Sequence, residues 1–154
     1  MLTGGGRMSR VLVTFSAEVK PLQRPALVAS PNGNVHYKNS AEYTAYKRIL
    51  RRACELALPE FWSPYDKPVE IRAICQYTRP KSRPKATWKD TTPDWDNLAK
   101  PVQDALTGLV FTDDKTVALA RVAKVYGLDD RVTVQVRTVD DVEVLDDWMF
   151  DPGP

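Results

Sequence analysis

Apolar and polar residues alternate from residue 10 to residue 20 (RVLVTFSAEVK), with Val11, Val13, Phe15, Ala17 and Val19 in step, which predicts a first strand. Residues 21–38 break the pattern with Pro, Gly and Asn and read as a loop, with PNGN as a turn signal. The period then lengthens to that of a helix over about residues 40–58. Tyr46, Ile49, Leu50, Ala53, Cys54 and Ala57 form its apolar stripe, and Lys47, Arg48, Arg51 and Arg52 lie mostly on other faces. Asn39 and Glu42 have capping-box spacing. After a connector over residues 59–68, a second strand is predicted at residues 69–78, with Val69, Ile71, Ala73, Cys75 and Tyr77 on one face. A second helix is predicted at about residues 97–107, with Leu98, Val102, Ala105, Leu106 and Leu109 buried, Pro101 near its first turn and Gly108 as its stop. Strands at about residues 116–126 and 131–139 follow, and GLDD between them is expected to be a hairpin turn.

The order is therefore β-α-β-α-β-β, an α+β (mixed α/β) domain in which two helices cover one face of about four strands. A chain of 154 residues makes one domain that buries a core without disulfides or structural metal. Residues 10–139 carry the pattern. Residues 1–9 read as a flexible tail, with Met8 as an alternative start, and residues 140–154 as an acidic tail. No apolar run reaches the ~20 residues of a membrane span, and MLTGGGRMSR lacks a signal-peptide core, so a cytoplasmic location is expected. Cys54 and Cys75 read as small buried thiols, and with His36 they make no zinc pattern.

Charge changes the picture. The net charge of +2 hides a tail with six acidic and no basic residues; the rest has 22 basic and 14 acidic, a balance of +8 that suits a polyanionic partner. Five basic residues, Arg79, Lys81, Arg83, Lys85 and Lys89, lie in residues 79–89 with Pro80 and Pro84 between them. That segment is expected to be irregular and to bind phosphates, with Trp88 available to stack on a base. For Trp95 core packing is the equal or better reading.

Residues 91–115 read TTPDWDNLAKPVQDALTGLVFTDDK. Asp94 and Asp96 precede the second helix, and Asp113 and Asp114 follow it where a strand begins. A chain that returns on itself can gather these carboxylates, and gathered carboxylates repel unless a cation joins them. Hard oxygen ligands of this kind suit Mg²⁺ or Mn²⁺. For Asp96 alone the plainer reading is a helix cap. Lys100 lies one turn after Asp96 on the same face, placed either to stabilise charge on a phosphate or to make an ordinary surface ion pair. Asn97 would orient a carboxylate or a water, and Asp104, a further turn along, would support or pair with Lys100. No GxxxxGK[ST] loop is present, which counts against a nucleotide cofactor.

The run DWDNLAKPVQDALTGLVFTDD, within residues 94–127, resembles the signature of the RusA family of Holliday junction resolvases. GNVHYKNSAEYTAYKRIL between two strands is a weaker likeness, so the order of elements corresponds from about residue 10 to residue 139. The resemblance implies a Mg²⁺-dependent endonuclease, with Mn²⁺ as a substitute, that makes paired nicks in four-way DNA junctions as a homodimer. It implies Asp94, Asp96 and Asp114 as metal ligands, Lys100 as catalytic, and the second Asp of the pair over Asp113, which either ligates or faces solvent. The implied setting is recombination, repair or phage DNA processing, in a bacterial cell or phage-infected host. Two other readings are a junction-binding protein that does not cut and a DxD metal enzyme acting on small phosphate substrates.

Overall fold

The computed structural model describes residues 9–37 and 40–139; Lys38, Asn39, residues 1–8 and the acidic segment 140–154 lie outside the described residues. The order is β1 (Val11–Ala17), β2 (Leu27–Ala29), β3 (Val35–Tyr37), α1 (Ala41–Ala57), β4 (Val69–Thr78), α2 (Trp95–Leu106), β5 (Val117–Gly127) and β6 (Arg131–Thr138), with a 3-10 turn, Asp114–Thr116, leading into β5. Four strands form one sheet in the order β1-β6-β4-β5, with β4 parallel to β5 and antiparallel to β6. The α+β class, the four-stranded sheet and the two helices on one face are as the sequence pattern predicts.

The core explains this arrangement. Pairing sets Phe15 beside Val134, Val134 beside Ala73, and Ala73 beside Val122, so one face of the sheet is continuously apolar. Tyr46, Leu50 and Cys54 of α1 and Val102, Ala105 and Leu106 of α2 pack on that face in a single cluster. Each large side chain so buried contributes about 1.5–3 kcal/mol. Tyr43 joins the buried stripe of α1, while Ile49 falls on its exposed flank. Both cysteines are free and buried, and burial pushes each thiol up to about 12, so neither is a nucleophile at neutral pH. No helix among the described residues is long and apolar enough to cross a membrane.

The structure departs from the sequence expectations in several places. The supposed loop of residues 21–38 holds the β2–β3 hairpin, whose strands of three residues are too short to show a period. Its PNGN turn has Gly33 at φ 85°. His36 sits in β3, not in a loop. The cap of α1 is Ser40, which accepts from the Tyr43 N–H at 3.1 Å, rather than Asn39. GLDD makes no hairpin, because β4 lies between β5 and β6. The link instead crosses the end of β4 and is fastened there. Asp130 Oδ1 accepts from the Thr78 N–H at 2.8 Å, and Gln76 Nε2 donates to the Asp129 carbonyl at 3.0 Å.

After α2 the chain turns at Gly108, whose φ is 78°. The Gly108 N–H donates to the Phe111 carbonyl at 2.8 Å, and the connector before β4 closes over the turn, with Tyr65 N–H donating to the Val110 carbonyl at 2.9 Å. A Cβ at Gly108 would meet nothing within 4 Å, so the backbone conformation alone demands glycine. Gly108→Ala is expected to lower stability by about 1–2 kcal/mol, read by urea denaturation.

Candidate active site

Helix α2 starts two residues earlier than the apolar pattern indicated, so Asp94 occupies the N-cap and Asp96 the first turn. An aspartate at an N-cap ordinarily accepts from a backbone N–H of that turn. The Asp94 side chain makes no such bond. Both carboxylates are exposed, and neither has a hydrogen bond or ion pair among the described residues. Two negative charges with free oxygens therefore stand at the positive end of a helix dipole. Capping, the plainer role considered for Asp96, does not engage either side chain.

One turn further, the Lys100 ammonium lies 3.1 Å from Asp104 Oδ1 and 3.6 Å from Asp114 Oδ2. Partial burial alone would lower its pKa, but Asp104 and Asp114 outweigh that and raise it above the ordinary lysine value. Lys100 thus stays charged across the range in which an enzyme works. Asp113 caps the 3-10 turn, its Oδ1 accepting from the Lys115 N–H at 3.2 Å. Its carboxyl is held below the usual range first by a hydrogen bond with the Asp114 side chain and then by that N–H. Of the acidic pair, Asp113 serves the turn and Asp114 faces Lys100.

The fold therefore brings Lys100, Asp104 and Asp114 together, with Asp96 one helical turn before Lys100. It does not bring three acids together: among the described residues, no three Asp, Glu, His or Cys side chains stand close enough to hold an ion. The donor chemistry fits a hard divalent cation, since Asp94, Asp96 and Asp114 offer only carboxylate oxygens. Asn97 lies beside residues 23–27, and its carbonyl accepts from the Arg24 N–H at 2.7 Å.

The basic segment is irregular, as expected, but it is anchored to the outer edge of β5. Trp88 bridges Val125; the Lys89 N–H donates to the Lys124 carbonyl at 3.0 Å, and the Tyr126 N–H donates to the Thr87 carbonyl at 2.8 Å. Its cations divide into two groups. Arg79 Nε donates to the Ala86 carbonyl at 2.9 Å, Arg83 pairs with Asp90 at 2.6 Å, and Lys89 Nζ donates to Thr91 Oγ1 at 2.7 Å while lying 4.9 Å from the Tyr77 ring centre. Lys81 and Lys85 are exposed and make no such bond. Trp88 is 66% and Trp95 57% exposed, so of the two readings of Trp95 core packing does not hold. Trp95 is the first residue of α2, between the two acids, where the helix face turns to solvent.

A groove of about 560 Å³ opens beside Thr92 and Pro93, with Lys20, Lys89, Tyr77 and Tyr126 among its walls. Behind the same turn stands a residue that the pattern of the sequence did not single out. Lys124 of β5 lies opposite buried Cys75, and its Nζ donates to the carbonyls of Thr91 at 2.6 Å and Pro93 at 2.7 Å. Its signal was a lysine at an inward position, between Val122 and Tyr126.

The Uncharacterized protein YqaN of Bacillus subtilis (strain 168) is 30% identical over 117 residues, covering 70% of this chain and 82% of that protein. Residues 17–137 match the family described as Endodeoxyribonuclease RusA. The match runs from the last residue of β1 into β6 and encloses both helices, the basic segment and all the acids described above. The chain belongs to the RusA family of Holliday junction resolvases and is an endodeoxyribonuclease.

Proposed function

We propose that this protein cuts four-way DNA junctions by paired nicks, as a homodimer that depends on Mg²⁺, with Mn²⁺ as a substitute. The observation that carries the reading is the pair of unengaged carboxylates, Asp94 and Asp96, at the start of α2, one turn from the ion pair of Lys100 with Asp114. Asp94, Asp96 and Asp114 would hold the cation, with Asp113 retained by its turn. A divalent ion so held supplies charge neutralisation at the scissile phosphate and activation of the attacking water.

The chain's own groups supply the rest. The Lys100 ammonium, kept protonated by Asp104 and Asp114, would meet the negative charge that grows on the phosphoryl oxygens. Asp104 holds Lys100 in place, and the amide of Asn97, next in the chain to Asp96, would orient a carboxylate. Lys81 and Lys85 would bind flanking phosphates, while Arg79, Arg83 and Lys89 keep their segment in position. Exposed Trp88 and Trp95 offer ring faces to bases unstacked at the branch. A twofold enzyme suits a substrate with twofold symmetry, so two copies would present two such sites. Bacterial or phage DNA recombination and repair, in the cytoplasm, is the setting that fits this chemistry.

Three outcomes test this reading. Asp96→Asn should abolish Mg²⁺-dependent cleavage of a labelled junction while leaving binding in EDTA intact or tighter; cleavage at the wild-type rate would sink the metal assignment. Lys100→Met should lower kcat by about 10²–10³, with a smaller effect on junction affinity, in single-turnover kinetics. Lys81→Ala with Lys85→Ala should flatten the salt dependence of duplex binding, by about 0.9 in log–log slope for each phosphate that is no longer neutralised. An unchanged slope would place these lysines away from DNA.

A further inference from the structure

We propose that Lys124 is a positioning residue for the metal-binding acids, holding the turn from which Asp94 enters α2; this rests on the metal-dependent reading above. Lys124 grips the turn from both sides. Its backbone carbonyl accepts from the Lys89 N–H at 3.0 Å, just before the turn. Its ammonium donates to the Thr91 carbonyl at 2.6 Å and the Pro93 carbonyl at 2.7 Å, within and at the end of it. These are charge-assisted bonds, roughly twice as strong as neutral ones.

The Pro93 carbonyl and the Asp94 nitrogen belong to one planar peptide unit. Fixing that carbonyl therefore fixes the plane from which the Asp94 Cα, and then the first turn of α2, project. Local bonds do not reach the Pro93 carbonyl. Pro93 has no N–H, Lys89 Nζ tethers only the Thr91 hydroxyl, at 2.7 Å, and Asp94 forgoes the capping bond that would tie its side chain to the helix. Lys124 comes instead from β5, which is paired along its length with β4. Its charge is committed to two carbonyls, so its role differs from that of exposed Lys81 and Lys85. Losing a group that orients metal ligands typically costs about 10–100-fold in metal affinity.

The test uses the full chain and two readouts. Mn²⁺ binding to the protein without DNA is titrated by electron paramagnetic resonance, and junction cleavage is followed against Mg²⁺ concentration. Lys124→Met should weaken Mn²⁺ binding by about 10–100-fold and raise the half-saturating Mg²⁺ concentration in parallel. Junction affinity in EDTA and kcat at saturating Mg²⁺ should stay near wild type, and Lys124→Arg, which keeps a charged donor, should recover most of the loss. Should Lys124→Met lose its cooperative thermal transition, Lys124→Gln, a shorter neutral donor, is read in the same way. Unchanged Mn²⁺ affinity overturns the inference. So does a loss of kcat that saturating Mg²⁺ does not recover, or a loss of junction affinity with metal binding intact. A wild-type protein that neither binds Mn²⁺ nor cleaves overturns the metal-dependent reading itself, whatever Lys124 does.

Discussion

The parallel pairing of β4 with β5 is the constraint on which the candidate site depends. Neighbouring strands that run the same way cannot be joined by a tight turn, so the chain must travel back along the sheet, here through α2. The return places the start of α2 near the carboxyl end of β4 and the Asp113–Asp114 pair at the start of β5. Late β5 passes under the turn before α2, which is how Lys124 reaches Thr91 and Pro93. β6 then has to pair with the free side of β4, and the GLDD link crosses the strand end to get there. Acids, crossover helix and clamp are consequences of one choice of strand neighbour.

A second theme is how the fold uses its cations. A body with a balance of +8 suggests a broadly basic surface, yet many of these side chains are engaged within the protein. Arg51 closes the end of α2 by donating to the carbonyls of Ala105 and Thr107, both at 3.2 Å. Arg72 and Arg121 flank Glu70, which is 3% exposed on the sheet face away from the helices. Arg83 and Arg131 pair with nearby acids in bridges that contribute little stability in water but set direction. On the segment that leads into Asp94, Lys81 and Lys85 keep their charge exposed to solvent.

Legibility follows the range of the interaction. The strand at residues 69–78 and the stripe of α2 were readable because burial on one face writes its period into neighbouring residues. The β2–β3 hairpin was not, since three-residue strands carry no period. Trp95 shows the same limit: composition makes a tryptophan a core candidate, and only the pitch of α2 turns it outward.

By itself, the sequence determined the order of the two helices and the four strands of the main sheet, the helices' place on one side of it, the stop at Gly108, and the run of Asp, Asn and Lys that marks the family. These are local, set by spacing, backbone preference and residue chemistry. Tertiary structure alone decided that β4 separates β5 from β6, that Asp113 caps while Asp114 faces Lys100, which basic residues are free, and that Lys124 holds the turn before Asp94. Each of those depends on residues far apart in the chain meeting, and such a partner is chosen only when the sheet and its crossover are assembled.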